Sequence, residues 1–304
     1  MSPTGVLLMA YGTPERAEDV AAYYTDIRRG RPPTEDQLAD LVRRYDAIGG
    51  LSPLAERTRS QRDGLAQTLG EDYVVELGLK HAFPFIEEGA AALAATGVSS
   101  VVGLVLAPHY SALSVGGYHE RAAVALGAGG VEYLPIESWH TAPELIALLA
   151  SRWRDAASAF ESAELAEVET LVTAHSLPLR VREMGDPYEA QLNETAGAPA
   201  TAAHIPGDRW RVAWQSAGRT PEPWLGPDIL SVMPVLAAEG RRGVIVCPAG
   251  FTSDHLEVLY DVDIEARAAA SEHGLRLVRT ASLNDEPVFL QLLARVVRER
   301  AGRA

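Results

Sequence analysis

A chain of 304 residues is long enough for about two domains. With 47% apolar and 22% charged residues it has the material for a sizeable core, which excludes a disordered chain and a small disulfide scaffold. Acidic residues outnumber basic ones 41 to 27, a net charge of −14 with a pI near 5.0. That balance argues against nucleic-acid partners and against general attraction to anionic membranes.

Finer counts exclude more. Lys80 is the only lysine among 27 basic residues and lies in Gly78-Leu79-Lys80-His81, so no phosphate-binding GxxxxGK[ST] loop exists. Cys247 is the only cysteine, which rules out an intrachain disulfide, a four-cysteine zinc site and a four-cysteine iron–sulfur cluster. Its setting, Val244-Ile245-Val246-Cys247, predicts a small buried hydrophobe. The apolar run Val6 to Tyr11 is too short for a signal peptide, and no run approaches a membrane span, so the expected compartment is the cytoplasm.

In chain order, apolar and β-branched runs predict strands at 5–10, 73–79, 100–107, 131–136, 168–174, 209–215, 243–249 and 275–280. Helical periodicity marks Gln61–Leu69, Ile86–Ala95, His119–Leu126 and Ala142–Ala157 between them. A last helix starts at Asn284 or Asp285 as cap, with Pro287 in its first turn and an apolar stripe to Val297. Continuously apolar strands alternating with helices imply parallel sheets covered on both faces. No GxGxxG follows a strand, and Trp214-Gln215-Ser216-Ala217-Gly218 lacks the first glycine of a nucleophile elbow.

The halves echo each other. Leu7 to Pro14 resembles Leu171 to Pro178 at an offset of 164, Pro84-Phe85-Ile86 resembles Pro223-Trp224-Leu225 at 139, and Val105 to Pro108 resembles Ile245 to Pro248 at 140. About 25 surplus residues, 164 less 139, then fall between positions 14 and 84. The predicted organisation is a first Rossmann-like unit over 1–150 with an Arg-rich insertion at about 15–60, and a second over 151–284. The C-terminal helix 285–304 returns to the first unit. A ligand cleft between two such units falls at the carboxyl ends of their strands, where Tyr11, His175, Ser216 and the Pro248-Ala249-Gly250-Phe251 turn lie.

His175 ends a predicted strand, placed either to ligate a metal or take a proton, or to serve as a structural histidine at the strand–loop junction. Asp254 and Glu257 have the spacing of a capping box. Glu257, Asp261 and Glu265 also share one helix face, either a path for cations or protons or simply a solvated acidic face. From Tyr24 to Arg62 eight arginines stand against six acids. Arg28-Arg29-Gly30-Arg31 and Arg43-Arg44-Tyr45 there suit a flat apolar ligand bearing carboxylates, or are ordinary surface arginines.

Together these segments resemble the ferrochelatase family, most nearly the coproporphyrin enzymes of Gram-positive bacteria, over almost the full length. The resemblance rests on Met9-Ala10-Tyr11-Gly12-Thr13-Pro14, Asp26 to Arg31, Arg44 to Leu54, Gly78 to His81, Leu106 to His109, Ala174 to Pro178, Gly185-Asp186-Pro187-Tyr188, Trp214-Gln215-Ser216, Pro223 to Asp228 and Asp254 to Asp261. It implies an α/β type II chelatase fold, two Rossmann-like domains with parallel sheets flanking a porphyrin cleft. The implied activity is that of a lyase of haem biosynthesis inserting Fe²⁺ into coproporphyrin III with release of two protons. Protoporphyrin IX is the alternative substrate, and a non-catalytic tetrapyrrole carrier the alternative function.

The resemblance implies that His175 and Glu257 are catalytic and meet Fe²⁺ at the insertion centre, with Tyr11 axial to the product iron from the opposite face. Arg28, Arg44, Tyr45, Ser52 and Tyr118 match macrocycle or propionate contacts. Asp261 and Glu265 match an outer metal site, with Mg²⁺ a candidate. No tightly bound cofactor is expected, and one cysteine cannot carry the [2Fe–2S] cluster of some relatives. The expected state is a soluble monomer in transient contact with the next haem-pathway enzyme. Lys80 has no assigned role.

Overall fold

The computed structural model describes residues 3–302 except 128 and 219. Its first half runs β1 (Thr4–Ala10), α1 (Val20–Ile27), α2 (Glu35–Ala47), α3 (Leu54–Leu69), β2 (Tyr73–Leu79), α4 (Ile86–Ala95), β3 (Ser100–Val105), α5 (Val115–Gly127), β4 (Glu132–Ile136) and α6 (Pro143–Ala157). The second runs β5 (Val168–His175), α7 (Tyr188–Ala202), β6 (Trp210–Gln215), α8 (Ile229–Ala238), β7 (Gly243–Cys247), a π-helix (Val258–Ala266), α9 (Arg267–Glu272), β8 (Arg276–Arg279) and α10 (Pro287–Arg300). Each predicted strand is present, with ends within two residues of the expected ones.

Two four-stranded parallel sheets result, ordered β2-β1-β3-β4 and β6-β5-β7-β8, one order written twice. Alternation along the strands explains their unbroken apolar runs. In β1, Val6 and Leu8 point into a central core shared by both halves, whereas Leu7 and Met9 point into an outer core under α4 and α5. In β5, Val172 and Ala174 join the same central core, and Leu171 faces the outer one under α8 and the π-helix. The central layer holds Leu65 of α3, Trp153 of α6, Leu192 of α7 and Phe289 of α10. Cys247 is 1% exposed, as expected, and burial pushes its thiol up to about 11.

The strand register corrects the repeat. Leu8 pairs with Leu77 and Val172 with Val212, separations of 69 and 40 residues, so the first half holds 29 more between its first two strands. The surplus is α1 and α2. The counterpart of Pro84-Phe85-Ile86 is Pro227-Asp228-Ile229, not Pro223-Trp224-Leu225. Pro84 and Pro227 both follow cis peptide bonds, and their carbonyls accept from Leu79 and Trp214 at the ends of β2 and β6, at 2.8 and 2.9 Å. The last helix is also corrected: Glu286 is its N-cap, without a side-chain cap bond. Asn284 is spent on Asp254 and Asp285 on Arg57, so neither is free to cap.

The halves are joined by buried polar contacts. Gln61 donates to the Ser253 hydroxyl at 2.8 Å and to the Asn284 carbonyl at 2.7 Å. His109 meets the Thr195 hydroxyl at 2.9 Å, and burial, then the nearby His140, brings its pKa down to about 3. The unfolded chain therefore binds a proton that the fold refuses, and stability falls as pH drops below about 6.5. Urea titrations between pH 6.5 and 4 are expected to show His109→Gln losing less stability per pH unit than the native chain, by up to ~1.4 kcal/mol. Gly250 is similarly exacting, because a methyl there would stand 2.8 Å from Ala174 Cα, one residue before His175. Gly250→Ala is expected to cost ~2 kcal/mol in the same titration at pH 7.5.

Candidate active site

His175 lies on β5 with the outward parity of Leu171, towards the side on which the π-helix packs. Its backbone carbonyl accepts from the Tyr188 hydroxyl at 3.0 Å. Its Nδ1 donates to the Ser176 carbonyl, which leaves Nε2 to face the cleft with its lone pair. Nε2 stands 3.7 Å from Glu257 Oε1. His255 repeats the pattern: Nδ1 donates to the Ser253 carbonyl at 2.9 Å, and Nε2 lies 3.5 Å from Glu257 Oε2. One carboxylate thus sits between two imidazoles whose cleft-facing nitrogens are both open to a proton. Burial pushes the Glu257 carboxyl up, but His175, His255 and Arg44 outweigh it and hold the group below its usual value.

The capping-box reading of Glu257 gives way. Asp254 spends its carboxylate on Asn284 at 3.0 Å and Ser282 at 2.8 Å, and its backbone N–H donates to Asn284 Oδ1 at 2.9 Å. Glu257 itself is the N-cap of the π-helix, whose wider turn is characteristic of functional sites.

Farther along, Asp261 accepts from Ser216, which sits at φ +60 just past β6, and from Arg44 at 3.1 Å. Burial first, then Glu257, pushes Asp261 up to about 6 against the pull of Ser216 and Arg44. Arg44 also reaches Glu265 at 3.7 Å and Asp40 at 3.4 Å, with its guanidinium 4.6 Å from the Tyr260 ring centre. The expected row of Glu257, Asp261 and Glu265 is therefore brought together. Arg44 occupies its outer end, so a divalent cation there would have to displace a guanidinium. Among the described residues no group of three or more His, Cys, Asp or Glu converges to hold a metal.

Across the cleft, Tyr11 is 41% exposed and stacks edge-on against His81, ring centres 4.6 Å apart. Burial, then Glu257 and Asp26, raises its phenol. Tyr45 is buried, its hydroxyl 3.3 Å from that of Thr13. Ser52 is buried and accepts from the Leu54 N–H at 3.3 Å. Tyr118 is buried beneath the Lys80 ammonium, 4.8 Å from its ring centre. Arg28 and Arg31 donate to each other's carbonyls at 3.2 and 3.3 Å and close the loop after α1. His255 and Ser216 are site residues to which sequence reasoning gave no role, although both stand inside segments it had singled out.

Chelatases share this architecture. SirB from Bacillus subtilis bound to Fe³⁺ superposes with a TM-score of 0.61 at 13% identity, covering 98% of this chain and 96% of that one. CbiX, a siroheme-biosynthesis enzyme of denitrifying bacteria, gives 0.54 at 16% identity, with 97% and 98% covered. At such identities the likeness concerns the fold alone. The sequence goes further: the Ferrochelatase family model matches residues 3–301, and the chain belongs to the ferrochelatase family. Coproporphyrin III ferrochelatase of Anoxybacillus flavithermus is 44% identical over 300 residues, 96% of this chain and 95% of its own. The Bacillus subtilis protein of that name is 40% identical with 98% of both covered, and a ferrochelatase of Herpetosiphon aurantiacus is 44% identical with 97% and 98% covered. No helix among the described residues is long and apolar enough to cross a membrane.

The charge row yields a double-mutant test. Removing Arg44 leaves Asp261 and Glu265 without their cation, so Arg44→Met is expected to destabilise by ~3 kcal/mol. Asp261→Asn in the same chain is expected to restore at least ~1 kcal/mol of that loss, read as the coupling energy in urea unfolding.

Proposed function

We propose that this chain inserts Fe²⁺ into coproporphyrin III, releasing the two pyrrole protons, as a step of haem biosynthesis. The observation that carries the reading is the Nε2 atom of His175, 3.7 Å from Glu257 at the carboxyl end of β5. The 40–44% identity to coproporphyrin III ferrochelatases over nearly the whole chain supports the substrate.

The porphyrin N–H groups point inward, so the barrier is access to the nitrogen lone pairs. Contacts at the ring periphery hold the macrocycle distorted and spend binding energy on that exposure. His175 serves as ligand to the arriving ion or as base towards a pyrrole N–H, its tautomer fixed by Ser176. Glu257 acts beside His175 as co-ligand and as part of the proton acceptor: lying between His175 and His255, its carboxylate stabilises the imidazolium formed when either ring takes up a released proton. Asp261 and Glu265 continue the row towards solvent and carry protons out. Tyr11 meets the product iron from the other wall, while Tyr45, Ser52 and Tyr118 line the ring and Arg28 faces a propionate.

In the same proposal the chain divides at about residue 150 into two units, with the last helix, Pro287–Arg300, returning to the first. It works as a cytoplasmic monomer without a resident cofactor and meets the next haem-pathway enzyme transiently.

His175→Ala is expected to lower iron insertion about a hundredfold or more while porphyrin still binds. Continuous absorbance assays of metallation with parallel fluorescence titrations separate the two effects, and near-native turnover would sink the role of His175. The four propionates of coproporphyrin III against two in protoporphyrin IX lead to an expected kcat/KM ratio of roughly tenfold or more in favour of the former. A protoporphyrin preference in the same assay would reverse the substrate.

A further inference from the structure

Lys80, the single lysine of the chain, follows β2 directly and is half-buried. Its N–H donates to the Ala10 carbonyl at 2.9 Å, and the next residue, His81, donates to Tyr11 at 3.0 Å. Lys80 is thereby fixed beside Tyr11 on the first wall of the cleft. Its ammonium rests on the Tyr118 ring, and its carbonyl accepts from Arg121 at 2.8 Å. A side chain at Gly117 would place its Cβ 3.9 Å from Nζ, so the helix α5 leaves room there.

No carboxylate answers this cation. Among the described residues Lys80 makes no ion pair, whereas the neighbouring Arg121 is paired with Glu87 at 2.6 Å. Burial, then Arg121 and Arg29, works against its protonated form. A partly desolvated ammonium beside two guanidinium groups is an unfavourable arrangement that a ligand anion would complete.

Arg29 supplies a second, independent observation. It sits at φ +58, the left-handed conformation that glycine adopts without strain, and Gly30 follows at φ +80. Its side chain is exposed and makes no ion pair among the described residues. An arginine at a position that favours glycine is accounted for when its guanidinium has work to do.

We infer that Lys80, with Arg29 beside it, binds a peripheral carboxylate of the porphyrin, and that it selects for rings carrying an anion at that edge. The inference rests on the proposed function and deepens it. Metal-free binding tests it apart from turnover: coproporphyrin III is titrated into the native chain, Lys80→Met and Lys80→Arg, with tryptophan fluorescence as the signal. Lys80→Met is expected to raise Kd about tenfold and to flatten its dependence on salt. Lys80→Arg, which keeps the charge, is expected to stay within about threefold of native. The tetramethyl ester, the same ring without carboxylates, is expected to bind native and Lys80→Met chains equally. A tetra-acid Kd unchanged in Lys80→Met, or a rise shared equally by acid and ester, would overturn the inference. Failure of the native chain to bind coproporphyrin III would overturn the functional reading as well.

Discussion

Three carboxylates on one helical face repel one another, and the site is organised around neutralising them. Glu257, Asp261 and Glu265 each meet a counter-group from a different part of the chain: His175 from β5 and His255 from the loop after β7, Ser216 from the end of β6, and Arg44 from α2. The helix that bears them packs on the second sheet, yet its outer cation comes from the insertion in the first half. Bringing the acids together therefore also draws the two halves onto one cleft. The balance differs along the row. Two imidazoles hold Glu257 low, whereas burial beside Glu257 lifts Asp261. A proton placed at the inner end thus has a group of higher affinity one turn farther out.

Duplication accounts for where the reactive groups stand. Tyr11 and His175 are the same residue of the repeat, 164 positions apart, each just past the apolar run of the central strand of its sheet. Both have the outward parity of that strand. One unit presents a phenol there and the other an imidazole, and the two face the cleft from opposite walls. Symmetry of the backbone gives two matched positions, and the side chains make them chemically different. The insertion of α1 and α2 breaks the symmetry further, since only the first unit carries these two helices and the arginines on and between them.

Much of this was legible in the residues, for identifiable reasons. Parallel strands buried on both faces leave long apolar runs, so all eight were readable. Leu171 to Ala174 ending in His175 put an imidazole at a strand's carboxyl edge without any knowledge of the fold. What stayed hidden depended on competition between partners. Asp254 and Glu257 have capping-box spacing, but Asn284 and Ser282, some 30 residues on, claim Asp254 instead. Pro223 looked like the mate of Pro84 because short motifs match by composition, whereas hydrogen bonds to the strand ends select Pro227. His255 was silent, and Ser216 was placed at the cleft without a partner, because nothing in their spacing says which carboxylate they will meet.

Charge counting shows the same limit and its remedy. The arginine surplus between Tyr24 and Arg62 suggested a clamp for an anionic ring, but most of those side chains are already committed. Arg43 holds Asp40, Arg44 holds Asp261, Arg57 holds Asp285, Arg59 holds Glu15 and Arg62 holds Asp63. Of the eight arginines in that segment, those without an ion pair among the described residues are Arg28, Arg29 and Arg31 after α1, and Lys80 is unpaired as well. A chain of net charge −14 can thus present a positive wall to a tetra-anionic ligand. What decides the sign of that wall is which charges have found partners, since a paired arginine contributes little field and an unpaired lysine contributes all of its own.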